Sequence, residues 1–97
     1  MSDTPKFGLR EECLDYRSYH FAVKLSEGAL STARGEDLSD PRVRTLSAVP
    51  GVETVHILQY GVTLKRSDRF TWAEMEERLT AALNELAEKY GEEQPKV

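Results

Sequence analysis

The sequence contains a single cysteine, Cys13, among its 97 residues. One thiol excludes an intramolecular disulfide, and no second Cys or clustered His lies near it in the chain to complete a metal site. We therefore interpret Cys13 as structural and predict neither a metal site nor a bound cofactor. This sparing use of cysteine is typical of a reducing compartment, so we expect a cytoplasmic protein.

Long apolar runs are also missing from the sequence. No stretch approaches the roughly 20 apolar residues that span a bilayer. The chain opens with MSDTPKFGLREE, where a signal peptide would carry an apolar core. We therefore predict no association with a membrane.

Basic residues are fewer than acidic ones, since 13 Lys and Arg against 17 Asp and Glu give a formal charge of -4. Such a chain has no overall positive field to hold a polyanion, which excludes nucleic acid as the expected partner. The length leaves room for one hydrophobic core. The sequence thus predicts one small domain of two packed layers.

Strand patterns dominate the first third of the chain. From Tyr19 to Leu25, apolar residues alternate with His20, Ala22 and Lys24, which is the period of a half-buried strand. A turn at 26–28 separates this strand from a weaker one over 29–33. Farther along, the runs 52–60 and 62–64 predict a hairpin.

Glycine and capping residues mark the remaining boundaries. We expect Gly61 to supply a positive φ in the hairpin turn. Asp40 followed by Pro41 predicts a helix start, because the carboxylate caps free backbone donors and Pro needs no N–H there. The capping-box pattern of Thr71 and Glu74 predicts a second helix start. Gly91 is placed to end this last helix.

These elements follow one another as β-β-α-β-β-α. The predicted fold is an α+β two-layer sandwich, in which a largely antiparallel sheet of four strands carries both helices on one face. Residues 1–14 are predicted as an irregular or partly disordered lead-in, 15–91 as the single domain and 92–97 as a solvated tail.

Catalytic motifs are absent from the sequence. No serine stands in a GxSxG setting, and neither a GxxxxGK[ST] loop nor an HExxH helix occurs. We therefore predict no catalytic residues and expect that the protein is not an enzyme. Trp72, at the first position of an amphipathic helix, is assigned to the core. Two short basic patches are interpreted as surface charge, namely Lys65, Arg66 and Arg69, and Arg34, Arg42 and Arg44.

Four segments of the sequence form a series: DPRV at 40–43, AVPGVETV at 48–55, GVTLK at 61–65 and TW at 71–72. In order and spacing, the stretch from Leu25 to Leu86 resembles the N-terminal domain of Nfu and NifU-like iron–sulfur scaffold proteins, which also occurs as a small stand-alone protein in bacteria. Full-length Nfu proteins hold their cluster with a CxxC pair in a separate domain. No CxxC occurs here, so no cluster ligand is carried over.

The resemblance implies an accessory, protein-binding module linked to iron–sulfur cluster assembly. The partner it implies is a CxxC iron–sulfur scaffold or a client of one. A two-layer domain presents one sheet face to solvent, and we expect the partner to bind there, at His20, Lys24, His56 and Leu58. We expect a monomer or a weak homodimer.

Other functions compete with this hypothesis. The run GVETVHI at 51–57 also resembles heavy-metal-associated domains, which would make the protein a small metal-binding or sensor domain, but paired thiols are then expected. An enzyme would use His20 or His56 as a general base beside a hydroxyl, and it needs a convergent pocket. A small-ligand binder of unknown specificity is a further alternative.

Overall fold

The sheet has five strands, one more than the sequence predicts. The computed structural model describes residues 6–91. In chain order the strands are Phe7–Glu12 (β1), Tyr16–Phe21 (β2), Leu30–Ser31 (β3), Val52–Leu58 (β4) and Gly61–Arg66 (β5). Their order across the sheet is β1-β2-β5-β4-β3, and each neighbouring pair is antiparallel.

Strand β1 lies inside the predicted irregular lead-in, so that prediction is wrong for residues 7–12. β1 is an edge strand, and all its residues except half-buried Phe7 are exposed. A strand that buries neither face lacks the alternation that reveals a strand in a sequence. Residues 1–5 of the lead-in and the predicted tail at 92–97 lie outside the described residues.

Strands β2 and β3 differ in extent from the predicted runs. β2 begins and ends earlier than the predicted 19–25, yet Val23 and Leu25 are buried after the backbone has left the strand. The apolar alternation therefore continues beyond the strand itself. The weak pattern over 29–33 contains β3, which is limited to Leu30–Ser31.

Both helices begin where the sequence predicts. Helix α1 spans Pro41–Ser47, and its N-cap Asp40 accepts a hydrogen bond from the Arg42 backbone N–H at 2.9 Å. A short 3₁₀ helix at Gly35–Ser39 precedes it.

Helix α2 spans Trp72–Tyr90 and starts with the predicted capping box of Thr71 and Glu74. Gly91 forms its C-cap, as predicted, with a φ of -71°. A Cβ at Gly91 would lie 2.5 Å from Val23 Cγ2, so glycine permits a close approach of the helix end to the chain after β2.

The positive φ lies before β4 rather than in the hairpin. Among the described residues, Gly51 alone has a positive φ, of 98°. The Val52 N–H donates to the Val49 carbonyl at 3.1 Å, and Pro50 and Gly51 occupy the two central positions of a type II turn.

The hairpin turn between β4 and β5 consists of Gln59 and Tyr60, because Leu58 pairs with Gly61 across it. Gly61 is therefore the first residue of β5, and the prediction of a positive φ at this position is wrong.

The core lies between the sheet and the two helices. On the sheet, its buried residues alternate along the central strands: Tyr19, Phe21, Val55, Ile57, Val62 and Leu64. They form one cluster with Val43 and Leu46 of α1 and with the buried residues of α2. Trp72 is 9% exposed and belongs to this cluster, as predicted. Both helices therefore cover the same face of the sheet, as predicted, and the α+β class is confirmed.

Candidate functional site

The sheet surface opposite the helices is called the open face. Its residues on the central strands are Tyr16, Ser18 and His20 of β2, Thr54, His56 and Leu58 of β4, and Gly61, Thr63 and Lys65 of β5. They occupy the alternate positions to the buried core residues, as the period of a strand requires. This surface carries most of the residues that the sequence predicts for partner binding.

Two rows of residues run across the open face. In the first row, His20 pairs with Gly61, and Gly61 pairs with Leu58. In the second row, Thr63 lies between Ser18 and His56. Within the second row, the Ser18 and Thr63 hydroxyl oxygens lie 3.1 Å apart, so the two hydroxyls are hydrogen-bonded neighbours.

A concavity of about 790 Å³ lies over the first row. Its floor and sides include His20, Leu58 and Gly61, and the segment 27–29 forms one wall. Arg10 and Glu11 of β1 line it at the other side. The open face is thus indented around Gly61, which carries no side chain.

The structure brings three of the four predicted residues together. His20, His56 and Leu58 share the open face, and His20 and Leu58 line the concavity. Lys24 follows the end of β2, and its Nζ lies 2.9 Å from Glu27 Oε1. With Arg42 it lines a second concavity, of about 320 Å³, at the C-terminal end of α2.

His56 has a hydroxyl partner that the sequence does not reveal. Its Nδ1 lies 2.9 Å from Ser31 Oγ, across 25 residues of chain. Ser31 Oγ also accepts a hydrogen bond from the Ala33 backbone N–H at 3.0 Å, which is the geometry of a turn. Neither residue lines the concavity, so this pair lacks the pocket that a general base requires.

The two basic patches bond largely to the protein itself. Arg66 donates to the backbone carbonyls of Leu14 and Phe70, both at 2.7 Å. Arg42 donates to both carboxylate oxygens of Asp40 and to the Leu25 carbonyl. These two guanidinium groups hold loops in place.

Arg17 forms a polar cluster on the helix-covered face that sequence reasoning missed. Only 7% of it is exposed, and its guanidinium donates to the Tyr19 hydroxyl and to Glu76 Oε2, both at 3.1 Å. Burial lowers the pKa of Arg17, but these bonds and one to Glu12 raise it above its ordinary value. Burial raises the pKa of Tyr19 against the opposing effect of Arg17. The cluster joins β1, β2 and α2.

The backbone of Cys13 forms hydrogen bonds on both of its sides. Its N–H donates to the Tyr16 carbonyl at 2.8 Å, and its carbonyl accepts from Trp72 Nε1 at 3.1 Å. Within residues 6–91, no three His, Cys, Asp or Glu side chains converge as a metal site would require. In the same part of the chain, no helix is both long and apolar enough to cross a bilayer.

Comparison with known proteins identifies the fold. No protein-family model matches the chain. No curated protein matches it in sequence. Among solved structures, a NifU-like protein from Saccharomyces cerevisiae, determined in solution by NMR, is similar with a TM-score of 0.65 and covers 93% of this chain and 87% of its own. The two sequences are 10% identical, so the comparison supports a NifU-like fold and nothing finer.

Proposed function

We propose that this chain is a non-catalytic protein-binding module that docks its partner on the open face of the sheet. The observation that carries the proposal is a sheet with helices on one side only, whose other side is indented by the concavity beside His20 and Leu58. Surface pockets are where the anchor side chains of a binding partner are commonly buried. Leu58, 52% exposed, adds apolar area that binding would bury.

The proposed setting is iron–sulfur cluster assembly in the cytoplasm. The four-segment series in the sequence and the NifU-like fold both support this setting. The proposed partner is a CxxC-bearing iron–sulfur scaffold or a client of one, and neither nucleic acid nor a membrane. We propose that the module acts as a monomer or a weak homodimer.

An NMR titration tests this function. The ¹⁵N-labelled chain is titrated with a CxxC scaffold domain from the same organism, in its apo and its cluster-loaded form. We expect shift changes confined to the open face, with the greatest changes around His20 and Leu58. No change at high micromolar scaffold would contradict the proposed partner.

Paired variants locate the binding surface. His20→Ala combined with His56→Ala removes two open-face side chains, and we expect a loss of roughly fivefold or more in affinity, typical of interface residues that matter. Arg78→Ala combined with Glu85→Ala removes two exposed side chains of α2, on the other side of the molecule, and serves as the matched control. Equal losses from both variants would place the contact elsewhere.

A further inference from the structure

We propose, resting on the proposed function, that the concavity on the open face seats one aromatic side chain of the partner, a tryptophan or a tyrosine, laid over Gly61. The partner would thus be recognised by an exposed aromatic residue at the centre of its contact surface.

Gly61 leaves a gap in the first row of the open face. Its cross-strand neighbours on both sides, His20 and Leu58, carry side chains, while Gly61 carries none. A Cβ at this position would lie 3.2 Å from the Tyr19 carbonyl oxygen, so the strands approach closely here. In designed sheets, aromatic side chains are used to cover glycines that leave the strand backbone bare. Neither cross-strand neighbour of Gly61 is aromatic, and Tyr60, the turn residue before it, lines the same concavity.

The sides of the gap suit a flat ring with one polar atom. Leu58 offers an apolar wall, and the exposed imidazole of His20 stands across the gap. Of the Ser18 and Thr63 hydroxyls, one donates to the other at 3.1 Å, and their oxygens keep lone pairs that accept further bonds. An indole N–H or a phenol O–H can use them, which an aliphatic side chain cannot.

Charge complementarity favours an uncharged anchor. On the central strands the concavity is lined by hydroxyls, an imidazole and a leucine, and the uncharged turn residues Gln59 and Tyr60 also line it. Charges of both signs lie on the flanking segments, at Arg10, Glu11 and Glu27. A charged group in the middle would lose hydration without gaining a counter-ion. Protein interfaces commonly place an aromatic anchor in the centre and charged residues at the rim, and this distribution matches.

A small probe tests the aromatic seat without the partner. N-acetyl-L-tryptophanamide is titrated into the ¹⁵N-labelled full chain, with N-acetyl-L-leucinamide as the aliphatic comparison. We expect ring-current shifts at His20, Leu58 and Gly61, and a dissociation constant on the order of millimolar, as suits a fragment of this size. The leucine probe should bind several-fold more weakly.

Two leucines provide matched variants for this titration. Leu58 and Leu38 are 52% and 51% exposed, and only Leu58 lines the concavity. Leu58→Ala should weaken the tryptophan probe at least about threefold, while Leu38→Ala should leave it unchanged. Equal binding of both probes, equal effects of both variants, or no localised shift at about 20 mM probe would overturn the seat.

Different experimental outcomes would contradict the aromatic seat and the proposed function. If the tryptophan probe binds and the scaffold domain does not, the seat stands and the iron–sulfur partner is wrong. If the scaffold domain binds the open face equally well before and after Leu58→Ala, the proposed function stands and the aromatic seat is wrong.

Discussion

The guanidinium carbon of Arg17 lies 4.9 Å from the centre of the Trp72 ring. The cation therefore stacks on an aromatic face while it bonds to Tyr19 and Glu76. Trp72 in turn donates to the Cys13 carbonyl, which ties the β1–β2 turn to the start of α2. This arrangement fixes one end of the helix layer against the sheet and so holds the open face in shape.

Replacing Arg17 by alanine should lower the free energy of unfolding by about 1–3 kcal/mol, the range for losing hydrogen bonds to a charged group. The loss stays moderate because the side chains of Glu12 and Glu76 are 45% and 55% exposed and regain water when their partner is removed. Urea unfolding followed by fluorescence of Trp72, the one tryptophan in the sequence, measures it. Arg44→Ala, at an exposed position of α1, is the control and should change stability by less than about 0.5 kcal/mol. Equal effects of the two variants would show that the Arg17 cluster does not stabilise the fold.

Gly51→Ala should destabilise the protein by more than about 2 kcal/mol, through both strain and a clash. The φ of 98° is unfavourable for any side chain, and the new Cβ would lie 2.9 Å from Met75 Sδ and from Phe70 Cβ. Gly28→Ala is the control, because its Cβ would meet no atom within 4 Å. Thermal unfolding compares the two, and an unchanged midpoint for Gly51→Ala would contradict the turn geometry.

Asp40 should make stability depend on pH at the acid end. Hydrogen bonds from the Arg42 side chain hold the pKa of this carboxyl below its ordinary 3.8, against a smaller opposing effect of burial. Because the folded pKa is the lower one, the carboxylate stabilises the fold above about pH 4, and this contribution is lost as the pH falls through the lowered pKa. The free energy of unfolding, measured from pH 7 to pH 2, should show the loss of this contribution.

The variant Asp40→Asn separates the role of Asp40 as the N-cap of α1 from the titration of its carboxyl group. Asp40→Asn keeps a side chain that caps α1, whereas Asp40→Ala should cost about 1 kcal/mol at neutral pH. The stability difference between wild type and Asp40→Asn should be constant above pH 5 and shrink below pH 4. A difference that stays constant down to pH 2 would show that Asp40 does not titrate with folding.

The sequence predicts those elements whose signals are local. The capping box at Thr71 and the Asp40–Pro41 helix start need only neighbouring residues, and both are confirmed. Strand β1 is missed because an edge strand with exposed faces has no periodic apolar pattern. The hairpin pattern predicts a positive φ at Gly61, but the positive φ lies at Gly51, where Pro50 directly before it is itself the pattern of a type II turn.

Part of the candidate site can also be predicted from the sequence, because strand alternation is a local signal. Strand alternation suffices to place His20, His56 and Leu58 on one face once their strands pair. Lys24 follows the same alternation, but β2 ends before it, and alternation carries no information on where a strand ends. Arg17 bonds to Glu76 across 59 residues, a contact that only the packing of α2 on the sheet creates.

The central claim, that the partner binds the open face, is tested most directly by solvent paramagnetic relaxation. A soluble gadolinium chelate broadens exposed residues of the ¹⁵N-labelled chain, and the measurement is repeated with the CxxC scaffold domain bound. The account predicts that binding protects His20 and Leu58 while Arg78 and Glu85, exposed on α2, stay broadened. Protection of Arg78 and Glu85 with an open face that remains broadened would contradict it.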